Sequence, residues 1–126
     1  MLKTSEWKQA LEAGKLDDVI RKLDVIPAEN PIPKNLKQRF LNVMQGFIDT
    51  YKDSNDPETS VPKVAFFSAP GRTELIGNHT DHQQGQVLAA AVNMDVWAFA
   101  APNKIGKLRY ASLGWPEIEV DMEDWE

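Results

Sequence analysis

Apolar residues recur at intervals of three and four positions in three stretches of the first half of the chain, which is the spacing of an amphipathic helix. The spacing predicts a short helix over residues 4–13, a second over residues 16–23 and a longer third over residues 35–52. Three prolines within residues 26–33 restrict the backbone and remove hydrogen-bond donors, so this segment is expected to be an extended connector.

The second half of the chain has a different pattern, with short apolar and alternating runs that are typical of strands. Strands are predicted over residues 63–68, 92–101, 107–113 and 117–122. We therefore expect one domain over residues 1–126, composed of a helical region 1–53, a linker 54–62 rich in turn-forming residues, and a mainly stranded region 63–126. Helices followed by strands, with no crossover helix, indicate an α+β fold with a mixed or antiparallel sheet.

Composition narrows the classes of function. The 126 residues contain 42% hydrophobic residues, enough for one ordinary core. The 14 Lys and Arg against 19 Asp and Glu give a net charge of -5, which disfavours binding to nucleic acid or to an anionic membrane. The chain has no cysteine, which excludes disulfides and thiolate metal sites. No apolar run is typical of a signal peptide or a membrane-spanning helix, so a cytoplasmic location is expected.

Polar side chains are concentrated in residues 68–85, where the first predicted strand is expected to run into a loop. A sugar offers hydroxyl groups, and its specific recognition requires carboxylate, amide and imidazole groups held in position. The segment supplies all three types, so the residues predict a polar binding loop. Its polar members include Arg72, Glu74, Asn78, His79, Asp81 and His82.

Residues 70–82 read PGRTELIGNHTDH, and QQGQVLAAAV follows. This stretch resembles the PGRVNLIGEHTDY segment of galactokinases, which is also followed by a glycine-containing turn and an apolar strand. The shared frame is far longer than a lone glycine pattern. It comprises Pro70, Gly71, Arg72, Leu75, Ile76, Gly77, His79, Thr80 and Asp81.

The resemblance implies a kinase of the GHMP family that uses ATP and Mg²⁺ to phosphorylate the anomeric hydroxyl of galactose or a related hexose. It also implies a fold like the N-terminal part of such a kinase, of the ribosomal protein S5 domain 2-like type. By the same resemblance, Arg72 is the catalytic candidate beside the reacting hydroxyl, because a guanidinium can stabilise charge that develops there. Asn78, His79 and Asp81 are implied to bind the sugar.

The chain departs from the galactokinase pattern at three positions of the segment. Asn78 stands where the family has Glu, Glu74 where it has Asn, and His82 where it has Tyr. The exchange at Asn78 replaces a charged acceptor by an amide that also donates, so the preferred sugar is expected to be galactose or a relative of it. The family's Gly- and Ser-rich ATP loop and its catalytic Asp have no counterpart in these residues. We therefore expect a truncated, N-terminal piece that is inactive alone.

Other interpretations stay open at this point. His79, Asp81 and His82 are potential metal ligands, although three ligands within four loop residues rarely make a complete site, and no metal is predicted. Arg72 alone is also compatible with a surface ion pair. At the level of function, the alternatives are a non-catalytic sugar-binding or regulatory module and a decayed fragment without a ligand. Exposed sheet edges predict self-association of the isolated chain.

Overall fold

The computed structural model describes residues 1–52, 62–77 and 81–123, and of Asp81 it describes the backbone alone. Within these ranges three α-helices precede four β-strands. They are α1 (Thr4–Glu12), α2 (Asp17–Leu23), α3 (Lys34–Tyr51), β1 (Ala65–Ile76), β2 (Leu88–Ala100), β3 (Lys107–Tyr110) and β4 (Ile118–Asp121), with a short 3₁₀ turn (Asp81–Gln83) between β1 and β2. The predicted linker 54–62, apart from Pro62, lies outside the described residues.

The three predicted helices are confirmed to within one residue at each end. The connector between α2 and α3 is not simply extended, and that expectation is wrong in part. The amide of Asn30 donates to the carbonyl of Pro27 at 3.1 Å, which closes a turn. The guanidinium of Arg21, on α2, donates to the carbonyls of both residues, so a side chain from the preceding helix satisfies the polar backbone of this turn.

The strands form two antiparallel pairs, β1 with β2 and β3 with β4. The longer pair runs from Ala65 opposite Ala100 to Ile76 opposite Leu88. The predicted α+β class with antiparallel pairing is therefore confirmed for the described residues, whereas the likeness to the ribosomal protein S5 domain 2 fold stays a prediction. Among the helices of the described ranges, none has the length and apolar character that crossing a membrane would require.

The core lies between the helices and one face of the β1–β2 pair. Phe40 of α3 is at its centre, with ring centroids 5.0 Å from Phe66 and 5.2 Å from Phe99. Neighbouring strand residues point to opposite faces, so Phe67 is 56% exposed although Phe66 is packed against the core. The buried core residues are Leu11, Ile20, Leu36, Phe40, Met44, Val64, Trp97 and Phe99. The other face of the pair is open to solvent.

Candidate functional site

The polar segment 68–85 begins as a strand, so the expectation of a loop from residue 68 onward is wrong. β1 extends to Ile76, eight residues beyond the predicted end of the strand, and β2 begins four residues earlier than predicted. Within this extension Arg72 lies opposite Ala91 and Glu74 opposite Ala89. Antiparallel pairing with β2, whose register shifts between Pro70 and Arg72 and between Glu74 and Ile76, keeps the backbone extended through residues that, in isolation, resemble turn formers.

A β-bulge interrupts the pairing immediately before Arg72. Between the pairs Pro70–Asp95 and Arg72–Ala91, β1 advances two residues and β2 advances four, so residues 92–94 lie opposite Gly71. A Cβ atom on Gly71 would lie 3.0 Å from the carbonyl oxygen of Met94, which explains why glycine suits this position. Pro70 lacks an N–H group, and a bulge is one of the few places where a strand accommodates that.

Arg72 is exposed and Glu74 is half-buried on the same face of β1. Their cross-strand partners, Ala91 and Ala89, have side chains that end at Cβ. Sequence reasoning treated this run of alanines as part of an apolar strand.

Gly77 ends β1 with a φ of +125°, a conformation that residues with a side chain rarely adopt. A Cβ atom there would also lie 2.8 Å from the Cα atom of Val87, so the two ends of the connection approach closely. The chain resumes in the described residues at the 3₁₀ turn that Asp81 begins and that contains the exposed His82.

The structure thus places two of the four predicted site residues on either side of residues 78–80. Arg72 lies on β1, and the backbone of Asp81 lies in the 3₁₀ turn. Asn78 and His79 lie outside the described residues, as does part of the alternative metal site. Within the described residues, no group of three or more potential ligands is placed to hold a metal ion. The sugar-binding assignments stay predictions.

A polar network that sequence reasoning missed borders the bulge. The carboxylate of Asp95 accepts hydrogen bonds from Arg39 at 2.7 Å, from the Ser68 hydroxyl at 2.6 Å and from the indole N–H of Trp97. Burial alone would raise the pKa of Asp95, but the hydrogen bonds from Ser68, Arg39 and Trp97 outweigh it and hold the pKa below its ordinary value. The available signal was a carboxylate inside an otherwise apolar strand.

Two surface cavities lie away from this segment. One, of about 330 Å³, is lined by residues around β3 and β4 that include Tyr110 and Trp115. The other, of about 500 Å³, lies beside α2 and the connector that follows it and is lined by Arg21 and Pro27 among others. Neither contains residues of the polar segment, and we assign no ligand to them.

Comparison with known proteins adds independent findings. The galactokinase galactose-binding signature matches residues 46–102. The chain is 34% identical over 83 residues to the galactokinase of Streptococcus suis, which covers 64% of this chain and 19% of the relative. It is 45% identical over 73 residues to that of Bacillus subtilis, covering 49% of this chain and 19% of the relative. No solved structure matches the chain significantly.

The galactokinase of Lactococcus lactis subsp. cremoris is 36% identical over 67 residues, which cover 51% of this chain and 17% of the relative. The matched part of the chain therefore spans less than a fifth of the length of these relatives. The findings confirm the predicted resemblance to an N-terminal piece of a galactokinase.

Proposed function

We propose that this chain, which carries the galactokinase galactose-binding signature, forms the sugar-binding part of a galactokinase-like sugar 1-kinase. The observation that carries the proposal is the extent of the match. Residues 46–102 begin near the end of α3 and include the whole of β1 and β2, and thus Arg72, both sides of the bulge and the connection with Asp81.

The chemistry of this unit suits a hexose. Asp81, when ionised, is a strong acceptor for a sugar hydroxyl, and His79 and Asn78 supply further donors and acceptors. The exposed guanidinium of Arg72, with small partners across the strand, is suited to stabilise negative charge on a reacting sugar oxygen. Because Asn78 replaces the family Glu, the proposed substrate is galactose or a related hexose.

The proposal derives no step through ATP for the described residues. The backbone N–H groups and the dipole of a helix N-terminus favour a negatively charged ligand. The first turns of α1 and α2 already carry carboxylates, at Glu6 and at Asp17 and Asp18, whereas the first turn of α3 carries none. Segment 71–77 also lacks the Lys-Ser or Lys-Thr of a Walker-type loop. The proposal assigns ATP and Mg²⁺ to a larger protein and predicts no catalysis by these 126 residues alone.

Calorimetric titration of the chain with galactose tests the binding role, with glucose as an epimer control. Asp81→Asn should weaken galactose binding about tenfold or more, because a hydrogen bond to a charged acceptor contributes about 1.5–3 kcal/mol. Asp18→Asn is the matched control, since Asp18 is an exposed carboxylate on α2, outside residues 46–102. Wild-type chain that fails to bind galactose or a related hexose would contradict the proposal.

The kinase role requires a complete enzyme with this N-terminal part. There Arg72→Ala should lower turnover by more than it weakens sugar binding, because its guanidinium is assigned to the reacting oxygen. Equal effects on turnover and binding would reject that role. Sugar binding without phosphate transfer in the complete protein would instead favour the regulatory or binding module.

A further inference from the structure

The network around Asp95 connects α3 to the β1–β2 pair at the edge of the bulge. Arg39, on α3, donates through Nη1 to the carboxylate and through Nη2 to the backbone carbonyl of Asp95 at 2.6 Å. The same guanidinium lies over the ring of Trp97, 4.2 Å from its centroid. The Asp95 side chain is 12% exposed, so this ion pair is partly shielded from water. A planar guanidinium with two donors fixes both position and direction.

The contacts of Arg39 and Asp95 lie where the bulge interrupts the pairing of β1 with β2. Asp95 faces Pro70, the last regular pair before the bulge, and Arg72 belongs to the first pair after it. Within the bulge, the amide of Asn93 donates to the carbonyl of Asp24 at the end of α2, at 3.3 Å. Ladder pairing is disrupted across a bulge, so contacts from outside the sheet contribute to its geometry. The helices supply these contacts from two directions.

We propose that Arg39 and Asp95 are positioning residues, which hold the bulge against α3 and thereby set the placement of Arg72 and of residues 73–76. We call this pair the brace. The brace acts on Arg72 through the bulge, without contact with a ligand. The claim that this segment binds a sugar rests on the proposed function. The claim that the brace sets its position rests on the contacts of Arg39 and Asp95.

A general loss of stability has to be separated from a loss of local order. Lys37→Gln is the matched control, because Lys37 also lies on α3 and pairs with Asp17 at 2.8 Å, away from the bulge. Ile20→Val is a second control that lowers the stability of the buried core without touching the brace. Both controls should change hydrogen exchange only at amides that exchange through global unfolding.

The experiment is residue-resolved amide hydrogen exchange on the full chain. In Asp95→Asn and in Arg39→Gln, exchange over residues 72–76 should become about tenfold faster or more, since each variant removes a charged partner of a hydrogen bond. Amides of α3 should change no more than in the controls. The combined variant should match the single variants at residues 72–76, because the two side chains act as a unit.

Unchanged exchange over residues 72–76 in both single variants, or independent additive effects, would overturn the proposal. Should Asp95→Asn unfold the chain, Ser68→Ala removes one donor to the carboxylate and should produce a smaller change in the same direction. Galactose titrations on the same samples distinguish the two proposals. A wild-type chain that binds no hexose contradicts the proposed function, while the exchange rates still decide whether the brace exists.

Discussion

At the scale of single residues, Asp95 shows how a charge is accommodated in an apolar strand. Its folded-state pKa lies below the ordinary value of 3.8, so the ionised form is the one that the fold stabilises. The contribution to stability is present above the pKa of the unfolded chain and is lost as the pH falls through the lower folded-state pKa. The free energy of unfolding should therefore decrease on acidification below about pH 4.

Asp95→Asn tests this pH dependence. At pH 7 the variant should be less stable than the wild type by about 1–3 kcal/mol, because an amide is a weaker acceptor for Arg39 and leaves that cation unpaired. Urea unfolding between pH 2 and pH 7 measures the difference, which should be constant above about pH 5 and shrink at lower pH. A difference that stays constant down to pH 2 would contradict the assignment.

At the scale of secondary-structure elements, the end of β1 depends on Gly77. Gly77→Ala should lower the free energy of unfolding by about 2 kcal/mol or more, because the φ of +125° is unfavourable and the new Cβ would collide with the backbone of Val87. Gly106→Ala is the matched control, since Gly106 has a φ of +69° with nothing within 4 Å of the added Cβ. Denaturant unfolding should rank the Gly77 variant as the less stable. Equal losses of unfolding free energy in the two variants would contradict the predicted clash with Val87.

Local patterns in the sequence were sufficient to predict the three helices, because the spacing of apolar residues that marks a helix lies entirely within its own segment. They did not suffice for β1. Pro70 and Gly71 are turn formers in isolation, and only the pairing with β2 accommodates them at a bulge. Arg72 and Asp81 were candidates because a family motif includes them. The contact of Arg39 with Asp95 joins residues 56 positions apart and has no signature in local spacing.

At the scale of the whole molecule, one face of the β1–β2 pair packs on the helices and the opposite face does not. That outer face carries Phe67 at 56% and Val96 at 68% exposure, and Trp115 beyond β3 is 76% exposed. Exposed apolar side chains grouped on one face favour association. Within the described residues, β1 and β2 form a two-stranded sheet, so each also presents an unpaired edge.

We therefore predict that the isolated chain self-associates at high concentration through this outer face. Sedimentation measurements over a range of concentrations should show a rising average mass. The double variant Phe67→Lys and Val96→Lys should remain monomeric, because it places two cations on the same face. Val19→Lys, on a half-exposed position of α2, introduces the same chemistry elsewhere and should associate like the wild type. A wild-type chain that stays monomeric would contradict the prediction, and equal association of the double variant would assign the contact to another surface, such as that around Trp115.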